Sequence, residues 1–320
     1  APLHPGAPAD PEEIHELGLR EVERLSQEIA VLEATLGFEG DLPAIEAALR
    51  ERDETSLPKT EEGRAAYLTL AQAYTDEMWT RLPAYFELIP SKRPLIIRMG
   101  AIGSQYTTED IDGVNVGVYN LMTPRGERIS TVGLATLSYH EGVPGHHLQL
   151  ATSEEIREGQ DLFQRPFNAA YTEGWALYAE RLADEMGAYA DNPFGRLGYL
   201  RSMRGRAARL VLDTGLNFKD WTVEQAQSYQ REALGEAGGF GRYLNWPGQA
   251  LGYYWGYLEY MRLRDRAEAA LGDRFDIKGF HLALMRNGGA VPFPILLQVV
   301  DQWIAQRLEA PAGAGENAAD

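Results

Sequence analysis

A mainly α-helical chain with one small antiparallel sheet is the fold class the sequence predicts, on three observations. Apolar residues recur at helical spacing over most of the length, capping residues stand where those periods begin, and only residues 93–123 change to β-branched, partly alternating segments. Asp10-Pro11-Glu12-Glu13 supplies a cap, a first-turn proline and two acids ahead of Ile14, Leu17, Val22, Leu25, Ile29 and Leu32, so a first helix runs to Gly37. A second long helix is expected over 61–88. Leu95-Ile96-Ile97-Arg98-Met99 and the run from Val114 to Asn120 read as strands, with Gly, Asp and Thr between them. Helical periods return at Ile129, and helices are expected at 129–157, 161–187, 193–213, 222–234, 246–271, 275–287 and 292–308. One catalytic domain is expected over 1–320, with flexible Pro- and Ala-rich ends at 1–10 and 310–320.

Composition narrows the function. With 44% hydrophobic and 24% charged residues the chain is globular, and no apolar run reaches the ~18–20 residues of a membrane helix. A net charge of -17 repels phosphate backbones, which argues against nucleic acid as a partner. The absence of cysteine removes disulfides, thiolate ligands and a Cys nucleophile, so a transition metal would rest on His and carboxylates. It suits cytoplasm and periplasm equally. No Gly-rich phosphate loop and no Gly-x-Ser-x-Gly elbow is present.

The chemistry concentrates in His140-Glu141-Gly142-Val143-Pro144-Gly145-His146-His147, with Glu173 following 27 residues after His146 in Tyr-Thr-Glu-Gly-Trp. Two imidazoles and a carboxylate can hold zinc, and a second carboxylate beside the metal-bound water can act as base. In a regular helix His146, at i+6, points about 120° away from His140, and His147, at i+7, lies about 10.5 Å along the axis. Neither meets His140 without a deformation. Pro144 has no N–H for the carbonyl of His140, and Gly145 tolerates unusual dihedrals, so the helix is expected to break there and return His146 toward the metal. His147 is then the lesser candidate, able to support the site from behind. Glu141 projects beside His140 as the base. Glu173 is expected on the next helix, 167–186, and Glu180, seven residues on and on the same face, can orient a ligand imidazole.

Four blocks in order resemble a known family: residues 139–149 around the histidines, Tyr171-Thr172-Glu173-Gly174-Trp175-Ala176-Leu177-Tyr178-Ala179-Glu180, Arg209-Leu210-Val211-Leu212-Asp213-Thr214-Gly215, and Trp246-Pro247-Gly248-Gln249-Ala250-Leu251-Gly252-Tyr253. They look like the bacterial proteins catalogued as domain of unknown function 885, over about residues 10–308. The resemblance implies a neurolysin-like helical architecture, shared with zinc metallopeptidases such as the thermostable carboxypeptidases and angiotensin-converting enzyme. It carries the ligand roles onto His140, His146 and Glu173, and implies that the strand 114–120, ending at Asn120, borders the cleft. Family members usually carry a helical N-terminal half besides these blocks, so one cleft wall is expected from elsewhere, for instance from a second polypeptide or subunit. Where a His is expected after Asp-Thr-Gly-x, this sequence has Asn217.

An oxyanion opposite the metal needs a hydrogen-bond donor. Tyr253 and Tyr243 resemble the late tyrosines of related peptidases, and His281 is a further donor. Arg242, Arg98 and Arg286 are candidates for a substrate carboxylate, whereas Arg201, Arg204, Arg206 and Arg209 are expected to pair with acids on neighbouring helices. The sequence therefore predicts a zinc-dependent peptidase of short peptides. A zinc amidohydrolase of a small non-peptide amide or ester, and a non-catalytic metal-binding or partner module, fit the same residues.

Overall fold

Helix α1 (Pro11–Thr35) starts where its signals stand, with the Asp10 side chain accepting from the amide of Glu12. A computed structural model describes residues 10–91, 93–101, 103–156, 168–235, 238–286 and 291–310. After α1 come α2 (Leu42–Glu51), capped by Asp41, and the short strand β1 (Ser56–Pro58), in a segment for which no element was expected. Helix α3 (Glu61–Arg81) stops short of residue 88 because Pro83 lies in the single 3-10 turn Leu82–Ala84 that follows it.

Strands β2 (Leu95–Met99), β3 (Gln105–Ile111) and β4 (Val114–Leu121) form one sheet in the order β2-β4-β3. Two expectations change here. The sheet is mixed: β3 and β4 are antiparallel, but β2 runs parallel to β4, pairing Leu95 with Gly117 and Met99 with Leu121. Alternation in a sequence fixes which face a side chain takes and leaves strand direction open. Strand β3, polar as Gln-Tyr-Thr-Thr-Glu-Asp-Ile, was not foreseen, because an edge strand need not show an apolar face. β4 is therefore the central strand, and β2 and β3 are the edges of this sheet among the described residues.

The stretch predicted as one helix over 129–157 is a strand, β5 (Arg128–Ser130), paired antiparallel with β1, and then α4 (Leu134–Glu141) and α5 (His146–Ile156). There follow α6 (Ala169–Glu185), α7 (Pro193–Asn217), α8 (Val223–Leu234), the short α9 (Gly241–Asn245), α10 (Leu251–Leu271), α11 (Ile277–Met285) and α12 (Phe293–Glu309). Helix α10 begins after residue 246 because Gly248 sits at φ 82°, in the left-handed region. The expected helical residues 157, 161–167 and 287, and the expected flexible ends at 1–9 and 311–320, lie outside the described residues.

The main core draws on residues from Ile14 to Ile304 and includes Trp175, Tyr178, Tyr254 and Tyr260, each at most 0% exposed. Two close helix contacts shape it. Gly18 of α1 lies against Leu210 and Val211 of α7. Gly174 of α6 meets Gly256 of α10, where a Cβ on Gly256 would stand 2.0 Å from the carbonyl oxygen of Ala170. Among the described residues no helix is long and apolar enough to cross a membrane.

His281 belongs to this core. Its Nδ1 donates to the carbonyl of Tyr85 (2.8 Å), its Nε2 accepts from the Tyr178 hydroxyl (2.9 Å), and its ring stacks on Phe86. With both nitrogens engaged and 0% exposure, it has no donor left for an oxyanion. Burial, with Arg264 nearby, pushes it down to about 3. The unfolded chain protonates this histidine below about pH 6.5 while the folded chain does not, so stability is full above pH 6.5 and falls as pH drops toward 3. At about 1.4 kcal/mol per unit, His281 should remove roughly 2–3 kcal/mol between pH 6.5 and 4.5. Denaturant unfolding of wild type and His281→Gln at pH 7 and 4.5 checks this, and equal acid losses in the two proteins would defeat it.

Candidate metal centre

The site is assembled from α4, α5 and α6. Helix α4 ends at Glu141 and α5 begins at His146, so the helix breaks within 142–145 as Pro144 and Gly145 predict. The break is well held. The amide of Gly142 still bonds back to the carbonyl of Ser138 (2.9 Å), the amide of His147 donates to the carbonyl of Gly142 (3.0 Å), and the indole N–H of Trp175 donates to the carbonyl of Pro144 (3.0 Å). The Val143–Pro144 peptide is cis. Gly145 is required by space, since a Cβ there would fall 1.9 Å from the carbonyl oxygen of His140.

This break turns His140 and His146 toward one oxygen. His140 Nε2 lies 3.5 Å and His146 Nε2 lies 3.4 Å from Glu173 Oε2, and the two rings are nearly perpendicular with centroids 4.8 Å apart. One donor atom from each of the three residues lies within 4.8 Å of the others, and both histidines are buried. The separations exceed those of good N–H···O hydrogen bonds. They match the edge of a tetrahedron around an ion with bonds of ~2.0–2.1 Å, which is about 3.4 Å. Two nitrogens and a carboxylate oxygen also suit zinc by chemistry. The residues present therefore fit a small divalent ion.

Behind the triad, Glu180 is 0% exposed and fully engaged. Its Oε1 lies 2.8 Å from His140 Nδ1, and its Oε2 accepts from Thr136 (2.5 Å) and Ser202 (3.0 Å). Burial alone would raise its carboxyl, but Arg206, 3.9 Å away, and His140 hold it below the ordinary value. Glu180 thus fixes the His140 ring with Nε2 facing Glu173. Desolvation opposes the charge on His140, yet Glu173 and Glu180 lift it to about 9; Glu173 itself, despite burial, is held far below the carboxylate range by the two histidines.

Glu141 is 6% exposed, and its Oε2 accepts from the backbone amide of Tyr106 on β3 (2.7 Å). Its Oε1 has no partner among the described residues. Burial raises its carboxyl against the opposing pull of His140 and His146, which is the direction a proton acceptor near neutrality needs. Tyr253 donates its hydroxyl to Glu173 Oε1 (2.9 Å) and accepts from Arg242 Nη2 (3.0 Å), while Arg242 Nε donates to Gln249 (2.7 Å).

Other predicted residues stand further out. His147 bonds through Nδ1 to the Tyr106 hydroxyl (3.2 Å) and packs edge-on to Trp79; burial pushes it down to about 4. Asn120 lies on the central strand with its side chain committed to Arg98 (3.0 Å) and Thr107 (3.1 Å), so β3, and not the strand 114–120, carries the edge beside Glu141. Tyr243 packs on Phe240 in a small separate cluster, and burial raises its phenol. Arg98 pairs with Glu109, and Arg286 is exposed at the end of α11. Asn217 donates to the carbonyls of Asp213 (3.1 Å) and Tyr243 (3.2 Å), and the Asp213 carboxylate accepts from the amide of Gly248 (3.0 Å), tying α7 to the loop before α10.

Sequence reasoning missed Tyr106, Thr136 and Ser202. Tyr106 acts through its main chain, which no residue type announces. Ser202 precedes Arg206 by four residues, a helical spacing that would have placed both on the side facing Glu180.

The fold and the site together define a mainly helical protein in which two histidines flanking a helix break converge on a glutamate of the next long helix. The chain belongs to the family described as bacterial protein of unknown function (DUF885), whose model matches residues 3–300. It is similar to the crystal structure of "the putative lipoprotein from Colwellia psychrerythraea", with 38% identity and a TM-score of 0.84 over 93% of this chain and 53% of that one. It also shares its fold with "a putative lipoprotein of unknown function from Shewanella oneidensis", at 22% identity and a TM-score of 0.69 over 92% of this chain and 57% of that one. The chain thus spans a little over half the length of each. No curated protein matches it.

Proposed function

We propose that the chain is a zinc-dependent hydrolase that cleaves peptide bonds of short peptides. The observation that carries this reading is the approach of His140 Nε2 and His146 Nε2 to one oxygen of Glu173, at 3.5 and 3.4 Å, with Glu141 beside them. His140, His146 and Glu173 would hold the zinc ion, which would supply Lewis acidity to the reaction. Glu180 keeps His140 in register. Tyr106 holds Glu141 Oε2 by its amide, so Glu141 Oε1 accepts the proton of the attacking water and later passes it to the amine nitrogen as the C–N bond breaks. Tyr253, aligned by Arg242, is the donor for the charge that develops on the carbonyl oxygen once its O–H turns from Glu173 Oε1. The outer edge of β3, beyond the Tyr106 amide that Glu141 holds, favours an extended peptide, which can bond there by its main chain.

The test is metal analysis of the purified protein together with a peptide digest read by mass spectrometry. About one zinc per chain is expected, falling to near zero in the double variant His140→Ala, His146→Ala. Full occupancy in the double variant defeats the ligand assignment. Cleavage of acylated small molecules alone would point to an amidohydrolase, and zinc without turnover, with a second polypeptide in the native assembly, to a binding module.

A further inference from the structure

Helix α7 carries Ser202, Arg206 and Arg209 at spacings of four and three residues, on one side of the helix. Arg206 donates to Ser202 (2.5 Å) and lies near Glu180, and Arg201, on another side, pairs with Glu33 and Glu46 (2.6 and 2.5 Å), as arginines of this run are expected to do. Arg204 has no ion pair among the described residues, and Arg209 also departs from that expectation. Its guanidinium lies 4.5 Å above the Tyr253 ring, its Nη1 is buried without a hydrogen bond, and no acid among the described residues pairs with it. A guanidinium nitrogen withdrawn from water without an acceptor is an unfavourable arrangement unless a ligand completes it.

Its surroundings say which ligand. Arg242 also stands over the Tyr253 ring, at 5.0 Å, and holds the tyrosine hydroxyl, which in turn bonds Glu173. Two guanidiniums thus border one tyrosine whose far end touches the candidate metal centre. A guanidinium recognises a carboxylate with paired N–H groups, a match an ammonium does not make. In a peptide the terminal carboxylate lies within about 3.8 Å, one residue length, of the peptide bond before it, comparable to the reach across one aromatic ring.

We propose that Arg209, with Arg242, forms a carboxylate-recognition subsite, and that the preferred substrates are peptides cleaved next to a free C-terminal carboxylate. This rests on the hydrolase reading above. The experiment compares kcat/KM of the zinc-loaded protein for N-benzoyl-Ala-Ala acid, its C-terminal amide, and N-benzoyl-Ala-Asp amide. The acid should exceed both amides by about 100-fold. Arg209→Met should bring acid and amide to within about threefold of each other through a higher KM for the acid, and Arg209→Lys should restore only part of the preference. Equal cleavage of acid and amide by the unaltered protein overturns the proposal without need of a variant. So does cleavage of the Asp amide as fast as the acid, which would assign the carboxylate to a side chain. Calorimetric titration of N-acetyl-Ala-Ala acid and amide into the metal-free protein separates the two readings. Binding of the acid alone, abolished in Arg209→Met, keeps the subsite even where no peptide is hydrolysed; equal binding of acid and amide removes it even where peptides are cleaved.

Discussion

Glu141→Gln is expected to lower kcat for peptide hydrolysis by about 10³-fold while leaving zinc content unchanged. Glutamine keeps the shape of the side chain and can still accept from the Tyr106 amide at the position of Oε2, so the local packing survives. What it cannot do is take up a proton. The loss should therefore fall on kcat, with KM little altered, because the change removes an interaction made in the transition state and no ligand of the ion. Zinc measured by plasma emission and steady-state kinetics on one preparation decide the matter. Turnover within tenfold of wild type would remove Glu141 as base, and loss of zinc would instead make it a structural support of the centre.

Gly145→Ala should weaken metal binding sharply although residue 145 offers no ligand. Its Cβ would lie 1.9 Å from the carbonyl oxygen of His140 and 2.4 Å from that of Tyr139, and both contacts are main chain that cannot swing aside. Relief requires the two ends of the break to separate, which moves His140 and His146 off their common target. A cost of roughly 2–4 kcal/mol in folding stability and a fall in zinc affinity of at least about 100-fold are expected. Gly133→Ala is the control: it lies just before the same helix at φ -88°, and nothing stands within 4 Å of its would-be Cβ. Wild-type zinc affinity in Gly145→Ala would show that the break tolerates the extra atom.

Much of this arrangement was legible before any coordinates. Capping residues and apolar periods gave the long helices, because those signals act within one turn of the chain. The interruption between His140 and His146 was legible for the same local reason: a residue without N–H and one without Cβ stand side by side. The parallel pairing of β2 and β4 was not, since it depends on the chain crossing over so that β4 lies between β2 and β3. The separate fates of Arg201, Arg206 and Arg209 were hidden too. Similar residues in one run look alike in a sequence, yet helical phase sends one to Glu33 and Glu46, another toward Glu180 and the third to Tyr253. His281 misled for a simpler reason: an imidazole reads the same whether both its nitrogens are spent inside the core or one is free.

The meeting of Gly174 with Gly256 has a consequence for precision. Where two helices touch backbone to backbone, no rotamer lies between them to be compressed or swapped, and their spacing is as stiff as any in a folded chain. Glu173 sits one residue before the first glycine and Tyr253 three before the second, so the carboxylate and the phenol are mounted on either side of a rigid hinge pin. In the proposed hydrolase their alignment would be set when the protein folds and would not have to be recovered at each encounter with a reactant, sparing the reorganisation that dipoles in water must undergo.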